Sequence, residues 1–94
     1  MPIFAVHYTY SDATVPGRDT HRPEHRAWLA DQVEAGSLLS VGAYPDGSGA
    51  LLVFRYADAE ALEGLVAQDP FARENLIDAV RIVEWRPILG AFSS

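Results

Sequence analysis

The sequence predicts an α+β fold in which four antiparallel strands carry two helices on one face, strung in the order βαββαβ. Three observations lead there. Runs rich in aromatic and β-branched residues lie near both ends of the chain, at 3–10 and 79–85. A glycine-dense turn, Pro45-Asp46-Gly47-Ser48-Gly49, joins two further apolar runs into a hairpin. In the two intervals that separate the hairpin from the outer strands, apolar residues recur with the period of a helix.

The first strand, residues 3–10, places Phe4, Val6, Tyr8 and Tyr10 on one face and Ile3, Ala5, His7 and Thr9 on the other. Both faces are substantially apolar, which marks a central strand covered on both sides. Ser11 to Thr20 is polar, and Pro16-Gly17 reads as a turn within a mobile connection of the kind that borders ligand sites. A first helix is expected from Pro23, suited to the first turn, to Ala35, with Gly36 closing it. Within it His25, Leu29 and Val33 follow at i, i+4 and i+8, flanked by Trp28 and Gln32, so the imidazole shares the inward stripe.

Ser37 to Tyr44 is the second strand and Ala50 to Tyr56 the third. Asp58 caps a second helix that runs to about Gln68, with Leu62, Leu65 and Val66 inward. Asp69-Pro70-Phe71 breaks it, a short turn or helix passes Arg73 and Asn75, and Ala79 to Trp85 forms the last strand before Arg86-Pro87. This order, with one central hairpin and two right-handed crossovers, is the ferredoxin-like split βαβ arrangement. Val and Leu occupy both phases of the second and third strands, so the face of the sheet without helices is apolar and predicts a homodimer packed sheet to sheet.

Composition bounds the function. Ninety-four residues make a single domain, 1–94, with an ordinary globular make-up of 49% hydrophobic and 21% charged residues. The seven basic residues, all Arg, are scattered and are outnumbered by thirteen Asp and Glu, giving a net charge of -6. No basic cluster exists to hold a phosphate backbone, so nucleic acid is not an expected partner. The absence of cysteine removes thiolate catalysis and disulfides. The N-terminus reads as a strand, not a signal peptide, and no apolar run is of bilayer-spanning length; the expectations are no membrane partner and a cytoplasmic location.

His25 carries the chemistry. Placed in the first turn of a helix and partly buried, it is expected to be neutral and able to accept a proton. A second candidate is Asp69, which continues the inner stripe of the second helix and stands before Pro70, where it either caps the next turn or serves the site. Read with a plain split βαβ topology, the start of the first helix and the end of the second fall at opposite ends of the sheet. A fold-back after Asp69, a displaced helix start or a partner subunit is then needed to bring His25 and Asp69 together. A metal site drawn from His7, His21, His25 and Asp69 lacks paired ligand spacing, and neither metal nor cofactor is expected. Ser40 stands outside any Gly-x-Ser-x-Gly elbow, which argues against acyl-enzyme chemistry.

Arg22-Pro23-Glu24-His25 ahead of an amphipathic helix, a Leu-Leu-Ser-Val-Gly strand, and Asp69-Pro70-Phe71 after a second helix together resemble the YCII-related (YciI-like) family over nearly the whole chain. The resemblance implies a ferredoxin-like domain assembled as a dimeric α+β barrel. It also implies a catalytic histidine and aspartate, which map onto His25 and Asp69. One characterised branch of that family eliminates chloride from chlorinated hydroxyquinols, whereas most members have no assigned substrate. The expected function is cofactor-independent acid–base chemistry of the lyase or isomerase kind on a small aromatic or oxygenated molecule. His25 would be the base and Asp69 its orienter. His7, Tyr8, Tyr10, Trp28, Ser40 and Phe71 are expected around the small-molecule ligand, and Arg22 to hold an anionic group. The alternative is a non-catalytic binding or regulatory dimer with the same pocket.

Overall fold

The computed structural model describes residues 1–93. Its strands are β1 (Ile3–Thr9), β2 (Leu38–Ala43), β3 (Gly49–Arg55) and β4 (Ala79–Trp85). Its helices are α1 (Val15–Glu34), α2 (Ala59–Val66) and α3 (Pro70–Arg73), with a 3-10 turn at Asp12–Thr14 ahead of α1. The sheet order is β2-β3-β1-β4 with every neighbour antiparallel, the ferredoxin-like arrangement. β1 lies at the centre, as its two apolar faces predict. Phe4, Val6 and Tyr8 point to the helices, where they meet Leu52 and Phe54 of β3, Leu38, and Leu62 and Val66 of α2 in one buried cluster.

The first helix departs from expectation at its start. α1 begins at Val15, about two turns before Pro23. The proline that occupies the first turn is Pro16, where a missing N–H costs nothing, and Pro23 lies inside the helix, where the loss of one backbone bond ordinarily costs about 3 kcal/mol. Packing overrides this local cost: Gly17, Arg18, His21, His25, Trp28 and Leu29 form one stripe of buried and half-buried positions along α1. Gly17 belongs to that stripe because Leu76 fills the space a side chain would need; an added Cβ would lie 2.4 Å from Leu76 Cδ2. Ser11–Thr20 is therefore a 3-10 turn and helix, not a loop. At the other end Val33, expected inward, is 53% exposed. The helix closes as predicted at Gly36 (φ 85°), with Ser37 N–H bonded to Gln32 C=O and Gly36 N–H to Val33 C=O.

The second half agrees more closely. Asp58 caps α2 through a 2.8 Å bond from Ala61 N–H. Asp69 caps α3, which ends on Asn75 in the left-handed conformation (φ 58°), with Leu76 N–H bonded to Phe71 C=O.

The expected separation of His25 from Asp69 is corrected by the strand register. Thr9 pairs with Gly49 and Ile3 with Arg55, so β3 runs back beside β1 and α2 then returns toward the end where α1 begins. α2 has only eight residues, about 12 Å, against about 23 Å for a seven-residue strand. The chain thus reaches Asp69 part-way along the sheet, and α3 folds it against α1. His25 lies about 15 Å into α1 and meets it there.

The sheet face without helices carries Ala5 and His7 of β1, Leu51 and Val53 of β3, and Val83 of β4. Trp85 stands at its edge with Phe92 packed against it. Among the described residues no helix is long and apolar enough to cross a membrane.

Candidate functional site

Asp69 is wholly buried. A carboxylate removed from water is tolerated only when its oxygens are hydrogen-bonded, and three donors converge here. Oδ2 accepts the Tyr8 hydroxyl at 2.8 Å; Oδ1 accepts Phe71 N–H at 3.0 Å and lies 2.7 Å from His25 Nδ1. Because an ionised carboxylate only accepts, the tautomer that satisfies this geometry carries its proton on Nδ1. That leaves Nε2 with its lone pair free. Among the described residues the one hydrogen bond of the ring is that at Nδ1, and the ring borders a cleft.

The cleft, about 360 Å³, opens between α1 and the helix-facing side of β2 and β3. Tyr10, Arg22, His25, Arg26, Leu29 and Phe71 form its main walls, with residues 41–43 and Ala50 opposite. Phe71 lies flat on the imidazole, ring centroids 3.8 Å apart and planes within 4°, while Tyr10 meets Phe71 edge-on at 6.2 Å. These contacts fix the ring plane as the carboxylate fixes its rotation. Burial, and after it the Asp69 carboxylate, push the Tyr8 hydroxyl far above its ordinary ionisation range, so it remains a donor. The same two causes push Tyr10 up to about 12, against the opposing pull of Arg18 and Arg22.

The positions expected around the ligand divide. His25, Tyr10, Arg22 and Phe71 share the cleft. Tyr8 is too deep to line it and instead holds Asp69. Trp28 is half-buried against the core and not on the cleft. His7 and Ser40 point to the other face of the sheet, by strand alternation, where His7 Nδ1 lies 3.2 Å from the Tyr44 hydroxyl. His21 stands at the contact of α1 with α3, 3.6 Å from both Glu24 and Glu74. Among the described residues no three His, Asp or Glu side chains gather into a metal-holding group. His25 is also not at a helix N-terminus, so the dipole no longer bears on its charge.

Sequence reasoning missed Arg18. It is buried, its guanidinium lies 4.2 Å over the Tyr10 ring, and it donates to the Thr14 hydroxyl and to the Ser11 and Leu76 carbonyls. Its signal was its place one turn before Arg22 and two before Arg26, visible only once the helix is known to start at Val15. A larger hollow of about 500 Å³, between the chain's first residues and its C-terminal segment, contains neither a histidine nor a buried carboxylate.

Fold and site together define a small ferredoxin-like domain with a buried carboxylate holding a histidine at the edge of a helix–sheet cleft. The chain belongs to the YCII-related domain family, whose model matches residues 2–86. Among solved structures it is similar to 5-chloro-2-hydroxyhydroquinone dehydrochlorinase (TftG) from Burkholderia phenoliruptrix AC1100, in complex with 2,5-dihydroxybenzoquinone. The TM-score is 0.78 at 17% identity, covering 89% of this chain and 93% of that one. It is less similar to a Bacteriodes thetaiotaomicron VPI-5482 protein provisionally named an antibiotic biosynthesis monooxygenase, with TM-score 0.53 at 15% identity, covering 99% of this chain and 94% of that one. No functionally curated protein matches the sequence.

Proposed function

We propose that this domain is a cofactor-independent acid–base enzyme of the lyase or isomerase kind, acting on a small oxygenated ring in the His25 cleft. The observation that carries the reading is the three-donor cradle around Asp69, which holds His25 Nδ1 at the carboxylate and leaves Nε2 unengaged on a ring that lines the cleft. In the reaction Nε2 takes a proton from the substrate; the imidazolium so formed is stabilised by the carboxylate 2.7 Å away. In an elimination the electrons of the broken bond to hydrogen move into the ring system and the leaving group departs with its own electron pair. The fold relative TftG, named for removing hydrogen chloride from a chlorinated hydroxyhydroquinone, supports an elimination as the first reaction to try.

Two sheets packed face to face complete the reading as a homodimer, since Ala5, Leu51, Val53 and Val83 give the helix-free face an apolar patch, beside His7, Ser40 and Arg81. The test is release of chloride from 5-chloro-2-hydroxyhydroquinone and related chlorinated hydroxyquinols by the wild type, His25→Ala and Asp69→Asn. Loss of the base should slow release by about a hundredfold or more, far beyond what the accompanying stability loss of about 1.5–3 kcal/mol, from the missing hydrogen bond to the buried carboxylate, explains in a variant that still folds. Ligand binding without turnover, unchanged by His25→Ala, would instead favour a binding module.

A further inference from the structure

The charge around the cleft runs against that of the chain. The whole sequence carries a net charge of -6, yet the cleft lining has two arginines and no carboxylate, Asp69 being sealed beneath His25. Arg18, Arg22 and Arg26 stand four residues apart on α1, one above another on the same side of the helix. Their partners differ. Arg22 is engaged by Asp19 at 2.6 Å. Arg18 is 5% exposed, and among the described residues no carboxylate forms an ion pair with it; its charge meets neutral oxygens and the π face of Tyr10. Arg26 is exposed at the cleft and, among the described residues, likewise has no carboxylate partner.

A buried cation without a counter-ion is costly, and the cost falls if negative charge arrives nearby. The walls define the shape of what arrives. The stacked His25 and Phe71 rings, the Tyr10 ring and the aliphatic Leu29 and Val41 present flat, apolar surfaces. They suit a ring or conjugated system, not a compact hydrated ion such as sulfate.

We propose that the cleft takes its ligand as a planar oxyanion, of the ionised hydroxyquinone or enolate class, and that Arg26 anchors it. Arg18 adds positive potential from behind Tyr10, and Arg22 contributes less because Asp19 already neutralises it. The proposal rests on the acid–base reading for the use of this cleft, and it deepens that reading: when Nε2 removes a further proton, the second negative charge develops on a ligand already held against a guanidinium. An interaction that strengthens as charge develops is worth more in the transition state than in the bound substrate.

The test is a pair of planar six-membered-ring probes, 2,5-dihydroxybenzoquinone, a vinylogous acid that is ionised near neutral pH, and hydroquinone, which is not. Binding is followed by calorimetry on the full chain. The oxyanion should bind at least about tenfold more tightly than hydroquinone, and should weaken as salt rises to about 0.5 M while hydroquinone does not. Arg26→Gln, a change at an exposed position, should remove about tenfold of oxyanion affinity, leave hydroquinone unaffected and keep the melting temperature. Arg22→Gln should cost less than Arg26→Gln. Equal affinity for the two probes, no binding of either, or an Arg26→Gln variant that keeps full preference for the oxyanion would overturn the proposal. Because these measurements read binding alone, they separate from the turnover test. Activity that depends on His25 without oxyanion preference refutes the anchor and leaves the base standing. Oxyanion preference with a fully active His25→Ala variant does the reverse.

Discussion

Asp69 meets His25 with the same oxygen, Oδ1, that caps α3 through the Phe71 N–H. The cap and the orienter are one atom, so the helix turn that places Phe71 flat on the imidazole also sets the direction from which the carboxylate holds it. Asp69→Asn therefore has a definite expected outcome. The amide oxygen is kept at the Oδ1 position by Phe71 N–H, the amide nitrogen faces Tyr8, whose hydroxyl turns to accept, and His25 keeps its proton on Nδ1. What disappears is the negative charge that stabilises the imidazolium. We expect nitrogen-15 NMR of the ring to show the same tautomer as the wild type, a stability loss of only about 1–2 kcal/mol, and turnover lowered by about 10²- to 10⁴-fold. A ring that changes tautomer would show the amide reversed and the cap broken.

The alkaline limit of stability should belong to the tyrosines beneath the site. Tyr8 ionises near 10.0 when free, and burial with the Asp69 carboxylate pushes it well above that in the fold. The folded state therefore retains a proton that the unfolded chain gives up, so stability is fully present below pH 10.0 and falls as pH rises beyond it. Tyr10, pushed up to about 12, adds to the same fall between those values. Thermal melts from neutral to alkaline pH should show this slope. In Tyr8→Phe the slope should be shallower, and the protein should be about 1.5–3 kcal/mol less stable at neutral pH because a hydrogen bond to a buried charge is lost.

Much of this was legible in the sequence because it is written in local patterns. Alternation in residues 3–10 grouped Phe4, Val6 and Tyr8 on one face of the strand, which the structure turns toward the helices, Asp58 and Gly36 marked helix ends, and the Gly-rich turn marked the hairpin. The start of α1 was not legible, because Pro16-Gly17 reads as a turn and Pro23 as the first-turn proline, and only the packing of Gly17 on Leu76, distant in sequence, draws the earlier segment into the helix. The meeting of His25 with Asp69 depends on strand directions that the βαββαβ order already implies, bringing the start of α1 and the end of α2 to one end of the sheet, and on the length of α1 and shortness of α2, which no motif shows. Tyr8 was assigned to the ligand because alternation says which face a side chain takes, not how deep its hydroxyl reaches.

Two glycines should respond differently to alanine. At Gly49, which pairs with Thr9, an added Cβ would lie 1.9 Å from the Tyr8 carbonyl oxygen, a backbone atom held in the sheet. Gly49→Ala should part β1 from β3 beside Tyr8 and lower stability by more than about 2 kcal/mol. At Gly17 the obstructing atom is a Leu76 methyl, which can turn aside, and alanine recovers up to about 1 kcal/mol of helix propensity. Gly17→Ala should consequently melt nearer to wild type than Gly49→Ala, and the order of the two melting temperatures is the measurement.

The proposed dimer is tested most directly at Leu51. This residue pairs with His7 on one side and Gly42 on the other and points to the helix-free face, away from the His25 cleft. In a two-fold arrangement a central residue of that face lies close to its own symmetry mate, so a charge placed there meets a like charge across a dry interface. Leu51→Arg should sediment as a monomer at micromolar concentration where the wild type sediments as a dimer. Mass action supplies a second readout, because a protein stabilised by association melts at lower temperature on dilution. Over a hundredfold dilution the wild-type melting temperature should fall while that of Leu51→Arg stays constant. A wild type that is monomeric, with a melting temperature indifferent to concentration, would mean that the apolar face is tolerated in water and that the site is complete within one chain.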